Sequence, residues 1–358
     1  MNRMTQASVV ATKGWRCALL LCCLSLVPVA AAEPVASALQ RPSLASDNAA
    51  HSYLLGIAQA GERLVAVGER GIILLSDDQG ANWRQVQAPV SVTLTVVRFA
   101  DAQNGYAVGH GGSVLVSRDG GESWALSLDG RHAAEILLAA AQARGDARGS
   151  AEAKRLVEDG PDKPFLDVLV RDPLNAFVVG AYGLALSTED GGKSWRSWLA
   201  RSDNPGGLHL NAIRGRGERL LIVGEQGLVL LSDDSGASFR TIETPYAGSF
   251  FTAELPSTNS LVIAGLRGNI LRSADDGDNW TALVSPVEAS ITASAIQPDG
   301  ALVFVNQAGM VMHEQAGHLL PVNRQPLPPL NNVLATRQAG TFLLSEQGVS
   351  VLNAGDVK

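Results

Sequence analysis

Apolar and polar positions alternate along this chain in short bursts, four to a unit. In the first unit the apolar runs are Tyr53–Ala58, Arg63–Val67, Ile72–Ser76 and Asn82–Gln87. Each run is rich in Val, Ile and Leu and bounded by Gly, Asp or Asn, the pattern of a short strand and not of a helix. Four such strands in roughly forty residues predict one blade of a β-propeller.

The unit recurs. Val67 to Trp83 reads V-G-E-R-G-I-I-L-L-S-D-D-Q-G-A-N-W, and variants run Val108–Trp124, Val179–Trp195, Val223–Phe239 and Ala264–Trp280. Worn copies around Asn306–Gly309 and Glu346–Gly348 bring the total to seven. With the turn residue after the third strand as marker (Ser76, Ser117, Thr188, Ser232, Ser273, Glu314, Asn353), the steps are 41, 71, 44, 41, 41 and 39. The one long step holds Arg131–Pro164, with helical patterns at Ala133–Ala143 and Ser150–Asp159 broken by Gly145 and Gly149. That segment is rich in Ala, Glu, Lys and Arg, which favour helix. The prediction is an all-β, seven-bladed propeller of four-stranded blades over 51–358, with a helical insertion at 131–164 between blades two and three.

Two turns repeat within the unit. The Gly-x-x-Gly pairs read as hairpins between second and third strands, with glycine supplying positive φ. The Ser-x-Asp-x-Gly-x-x-Trp turn joins third and fourth strands. Its aspartates (Asp78, Asp119, Asp190, Asp234, Asp275) are expected to accept turn amides. Its aromatic residues (Trp83, Trp124, Trp195, Phe239, Trp280) are expected to anchor blade against blade. One acidic side chain per turn falls far short of the six or more oxygens that calcium takes, so these read as structural.

The ends differ from the middle. Residues 1–32 carry Arg3, Lys13 and Arg16, an apolar run Ala18–Val27 and small residues Ala30–Ala32, the layout of a cleaved signal peptide. The expected location is periplasmic. Cleavage removes all three cysteines (Cys17, Cys22, Cys23), and losing three basic residues moves the formal charge from −7 to about −10. So acidic a chain is not expected to bind nucleic acid. Residues 33–50 hold Pro34 and Pro42 and read as an arm. The chain stops soon after the third strand of blade seven, and Val35–Ser43 is expected to supply the missing fourth strand, since an unpaired edge is a liability.

The Ser-x-Asp-x-Gly-x-x-Trp turn is the Asp-box of BNR-type propellers. Together with the Val-Gly-x-x-Gly turn it resembles the Ycf48/Hcf136 family over about Ser52–Lys358. The resemblance implies an exported, non-catalytic assembly factor for photosystem II or, more broadly, for a membrane or envelope complex. It implies a protein partner, possible peripheral membrane association, a monomer and no cofactor.

Asp-boxes also occur in sialidases, so a glycan-binding or glycan-cleaving protein is the alternative. That chemistry needs converging arginines, a tyrosine nucleophile and an acid/base carboxylate. Beyond residue 32 the tyrosines are Tyr53, Tyr106, Tyr182 and Tyr246, of which Tyr106 and Tyr182 lie at strand starts or hairpin turns inside the repeats, and no catalytic residue is assigned. The histidines (His51, His110, His132, His209, His313, His318) show no ligand spacing, and no metal site is expected.

The Gly-x-x-Gly turns and the links between blades should share one face, with the Asp-boxes on the other. Residues inside the former vary from blade to blade, and loops on a rigid scaffold carry recognition. Arg70, His110, Tyr182, Glu225, Gln226 and Arg267 are therefore the candidate partner contacts. Ile136, Leu137 and Leu138 make the insertion a candidate docking element on that face.

Overall fold

Strands of two to eight residues with one or both faces apolar must stack sheet on sheet, and here they do so around an axis. The computed structural model describes residues 36–198, 203–315, 317–323, 325, 327–337 and 340–352. The signal-peptide reading, the cysteines and the Asn353 marker lie outside them. Seven antiparallel sheets follow one another in the chain, each built of consecutive strands. Six have four strands, and the seventh has three among the described residues. The fold is the predicted seven-bladed β-propeller.

The core is divided into wedges between neighbouring blades. Val65, Leu75 and Val67 of blade one pack with Val97, Ala107 and Leu115 of blade two. Leu221, Val223 and Leu231 of blade four pack likewise with Phe250, Ala253 and Ile263 of blade five. The last wedge joins the ends, with Leu54, Ile57, Leu64 and Leu74 against Phe342 and Leu344.

Every innermost strand carries an irregularity of register between its first and third residues, and that of blade five a second between Glu254 and Ser257. Such a bulge re-aims the extra residue. Four of the seven use it to clasp the next blade. Thr95 Oγ1 donates to Phe165 O (2.9 Å), Asn211 Nδ2 to Phe250 O (2.8 Å), Thr292 Oγ1 to Leu330 O (2.7 Å) and Asn331 Nδ2 to Leu54 O (2.9 Å). The last of these joins blade seven to blade one, reinforced by Asn332 Nδ2 to Leu55 O (2.8 Å).

The described part of the arm is held elsewhere. Among the described residues of Val35–Ser43, the arm bonds to the link between blades one and two. Ser91 N donates to Ala38 O (2.8 Å), Ser43 N to Ala88 O (3.0 Å), and Leu39 packs into the wedge between those blades. The outer edge of blade seven is therefore not covered by residues 36–43. Among the described residues, closure rests on side-chain clasps and apolar packing.

The insertion forms two helices, α1 (Gly130–Ala143) and α2 (Ala147–Asp159). Asp129 caps the first by accepting from Arg131 N and His132 N, and Asp146 caps the second by accepting from Gly149 N. Gly145 separates them at φ 67, whereas Gly149 lies inside α2 and breaks nothing. Ala133, Ile136, Leu137 and Leu156 seat the pair on blades two and three.

Candidate functional site

The Gly-x-x-Gly turn is built the same way in five blades. Its second inner residue is left-handed, at Arg70 (φ 54), Gly111 (φ 68), Tyr182 (φ 56), Gln226 (φ 53) and Arg267 (φ 57), and the closing glycine follows it there. The opening glycine is different. Gly68 is extended at φ −166, and glycine is required because a Cβ would meet Tyr53 O at 2.2 Å. The next amide bolts the turn to the link entering its own blade: Glu69 N to Tyr53 O (3.0 Å), His110 N to Thr93 O (2.8 Å), Glu225 N to His209 O (3.1 Å). These bonds put the turns and the inter-blade links on one face. The second inner side chain is thus held outward by a backbone that cannot follow it.

Arg70, His110, Tyr182, Gln226 and Arg267 are exposed, and Glu225 is half-buried. Tyr182 is 56 % exposed, with the His209 ring 4.9 Å from its own and Lys163 Nζ 5.4 Å from its centroid. Glu225 accepts from His209 N (2.9 Å), and its other oxygen lies 3.4 Å from His209 Nδ1. Tyr182 and Glu225 therefore belong to one cluster with His209 and Lys163, two residues that the repeat pattern did not single out. Arg70, His110, Gln226 and Arg267 stay on separate blades. Arg70 shares a recess of about 520 Å³ with Arg41, Leu44, Glu69 and Ser91. The start of α1 lies against the His110–Gly112 turn, where a Cβ on Gly112 would come within 2.5 Å of Gly130 Cα.

On the opposite face each Asp-box is closed on itself. Asp78 accepts from Ser76 Oγ (2.9 Å), Asn82 N (2.8 Å) and Asn82 Nδ2 (2.7 Å). Asp119, Asp190, Asp234 and Asp275 repeat this with Ser123, Ser194, Ser238 and Asn279. The same serine or threonine hydroxyl accepts from the glycine amide, as Gly80 N to Ser76 Oγ (2.8 Å). Trp83 packs into the wedge with blade seven, Trp124 with blade one and Trp280 with blade four. Trp195 Nε1 donates to Ser127 Oγ of blade two (2.9 Å), and Phe239 stacks edge-on to Trp198 of blade three. No group of three or more acidic, histidine or cysteine side chains among the described residues is placed to hold a metal.

These hydrogen bonds hold the Asp190 and Asp234 carboxyls down at about 2, through the hydroxyls of Ser194 and Ser238 first. The folded value lies below the ordinary 3.8, so the contribution to stability is complete above about pH 4. It is lost as pH falls towards 2. An acid titration of thermal stability is expected to show a loss concentrated between those limits. Asp190→Asn and Asp234→Asn together should reduce it, with the remainder carried by the other depressed box carboxyls, Asp78, Asp119 and Asp275.

The third region is the hub. A cavity of about 470 Å³ runs among the innermost strands and carries four charges, Arg98, Asp167, Arg214 and Glu254. Arg214 pairs with Asp167 and stands 3.9 Å from Glu254, while Ser294 Oγ donates to Glu254 (2.9 Å). Burial pulls the Arg214 guanidinium down, yet Asp167 and Glu254 more than offset it and hold it above its usual value. Burial pushes the Glu254 carboxyl up. None of Tyr53, Tyr106, Tyr182 and Tyr246 lines this cavity, and Tyr106 is buried with its hydroxyl on Pro173 O (3.2 Å). The hub thus offers two arginines and no tyrosine, not the sialidase constellation.

The sequence matches the family described as photosynthesis system II assembly factor YCF48 over residues 76–148 and 150–348. The chain belongs to the YCF48 family. Solved structures agree in fold. YCF48 bound to D1 peptide is 15% identical, with a TM-score of 0.63, covering 87% of this chain and 100% of that one. YCF48 from Cyanidioschyzon merolae is 15% identical, with a TM-score of 0.62, covering 84% and 95%. The WD40 propeller domain of Doa1, at 10% identity and a TM-score of 0.62 over 89% and 98%, shows how general the ring is. No curated protein matches the sequence. Within the described residues of this YCF48-family chain, no helix is long and apolar enough to cross a membrane.

Proposed function

We propose that this protein is a non-catalytic assembly factor of the photosystem II type, which holds a segment of a client membrane or envelope protein. The observation that carries the reading is the family match across nearly the whole ring. The geometry supports the Gly-x-x-Gly face as the platform, because its side chains differ by blade on a common rigid frame. A YCF48 structure holds a D1 peptide, which supports a protein segment as the partner here. Export to the periplasm belongs to the same proposal. N-terminal sequencing of protein recovered from the periplasm should start at Glu33, and a cytoplasmic chain starting at Met1 would contradict it.

Crosslinking in intact cells followed by mass spectrometry tests the role. One recurrent client of a membrane or envelope complex is the expected result. Turnover of fluorogenic glycosides by the purified protein, with no such client, would replace the reading with a glycosidase.

Tyr182→Gly separates binding from folding. Glycine adopts φ 56 without cost, so the melting temperature should hold or rise slightly, whereas client affinity should fall about tenfold or more. Unchanged affinity would remove Tyr182 from the contact surface.

A further inference from the structure

The seven innermost strands share one register at the hub, so their residues can be compared blade by blade. Two blades carry arginine as the fifth residue of this strand, Arg98 on blade two and Arg214 on blade four. Arg214 is met by the third residue of the preceding blade, Asp167, whose carboxylate also accepts from Ile213 N (3.0 Å). The residue in Asp167's place before Arg98 is Gly56. Its backbone is pressed against blade two, since a Cβ there would lie 2.9 Å from Val96 Cα and 3.0 Å from Val97 N. Where one arginine faces a carboxylate, the other faces bare main chain.

No other hub side chain bonds to Arg98 among the described residues; Asp167 and Glu254 attract it only through space. Among the described residues, the Arg98 guanidinium makes one hydrogen bond, to Val97 O (3.1 Å), out of five N–H groups it carries. Asp167 is engaged by Arg214 and by Val168 N and Ile213 N, and Glu254 by Ser294 and Arg214. Arg98 lines the cavity of about 470 Å³, a size that accepts a small molecule. Blades six, seven and one contribute apolar wall at the same level, through Ala295, Ile296, Leu334 and Ala58.

We propose that the hub is a binding site for a small organic monocarboxylate, with its carboxylate on the Arg98 guanidinium and its aliphatic body against Ile296, Leu334 and Ala58. A carboxylate is the group that the equivalent arginine on blade four takes, through Arg214 Nη1 on one Asp167 oxygen, and the free fork of Arg98 can take one through two nitrogens. A single charge is required, because Asp167 and Glu254 on the same ring repel a second one. The site is separate from the Gly-x-x-Gly turns, so it stands or falls independently of the client reading.

Calorimetric titration of the full chain with hexanoate and with hexanamide tests it. Hexanoate is expected to bind, and the neutral amide to bind about tenfold more weakly or worse, the loss of one charge-assisted pair. Arg98→Met should abolish the difference while leaving the melting temperature unchanged or higher, since a half-buried cation with no carboxylate bonded to it adds little to the fold. Leu334→Asp, which brings an internal carboxylate into the cavity, should also remove hexanoate binding, and it serves if Arg98→Met fails to fold. No binding of hexanoate, equal binding of the amide, or hexanoate binding kept in Arg98→Met would each overturn the proposal.

Discussion

Replacing Asp167 with alanine is expected to lower the unfolding free energy by about 3–5 kcal/mol, the usual loss when one partner of a buried ion pair is removed. Asp167 is 3% exposed and does three things at once. It accepts from Val168 N within its own strand, from Ile213 N on the next blade, and from the Arg214 guanidinium. Alanine takes the shared acceptor from all three donors, and leaves Arg214 with Ile213 O and the more distant Glu254 at 3.9 Å, so its close carboxylate is gone. Urea unfolding followed by tryptophan fluorescence would measure the loss. The double variant Asp167→Ala/Arg214→Met should recover a large part of it, because the unpaired cation is then gone. A loss below about 1 kcal/mol, the range of exposed pairs, would show that water in the channel screens the pair.

Phe342→Ala is the second large effect, at about 3–5 kcal/mol for a buried phenylalanine. Phe342 is fully buried between blade seven and blade one, beside Leu54, Ile57 and Leu344. It also fills the space next to Gly80, where a Cβ would come within 2.5 Å of its ring. The seam depends on such contacts because the described residues of blade seven form three strands. The variant should therefore fail locally first. Hydrogen exchange is expected to quicken at Leu54–Ala60 and Leu330–Ala335 before other innermost strands. Uniform acceleration around the ring would mean that the seam is no weaker than the other wedges.

The ring was legible because each unit repeats its own signals: alternation for the strands, glycine for the turns, and a serine or threonine paired with aspartate at each box. What failed to show was whatever depends on backbone contact or on direction. The arm is fixed through Ala38 O and Ser43 N, helped by the Leu39 side chain and by the Ser43 hydroxyl, which accepts from Ala88 N, and one leucine and one serine do not announce such a contact. Its position after a missing strand suggested a pairing that its described residues do not make. Gly68 looked like a positive-φ glycine but is extended, and its constraint is the closeness of Tyr53 O.

The hub was visible in part. Arg98, Asp167, Arg214 and Glu254 interrupt apolar innermost strands at aligned positions, a signal in plain sight. Which way they face follows from the bulge after the first residue, and Leu55, Thr95 and Asn331 share no chemistry that would announce it. On the turn face, Tyr182 and Glu225 were legible as inner turn residues. Their meeting through His209 was not, since that histidine comes from the link into blade four.

The claim that the Gly-x-x-Gly face is the working surface can be tested directly by placing a photo-crosslinking phenylalanine analogue at position 182 or, on the Asp-box face, at position 79. Both positions are exposed and hold left-handed backbone without glycine, so neither replacement disturbs the ring. Irradiation in intact cells should give one discrete client adduct from position 182 and none from position 79. An adduct from position 79 alone, or equal yields from both, would contradict the account.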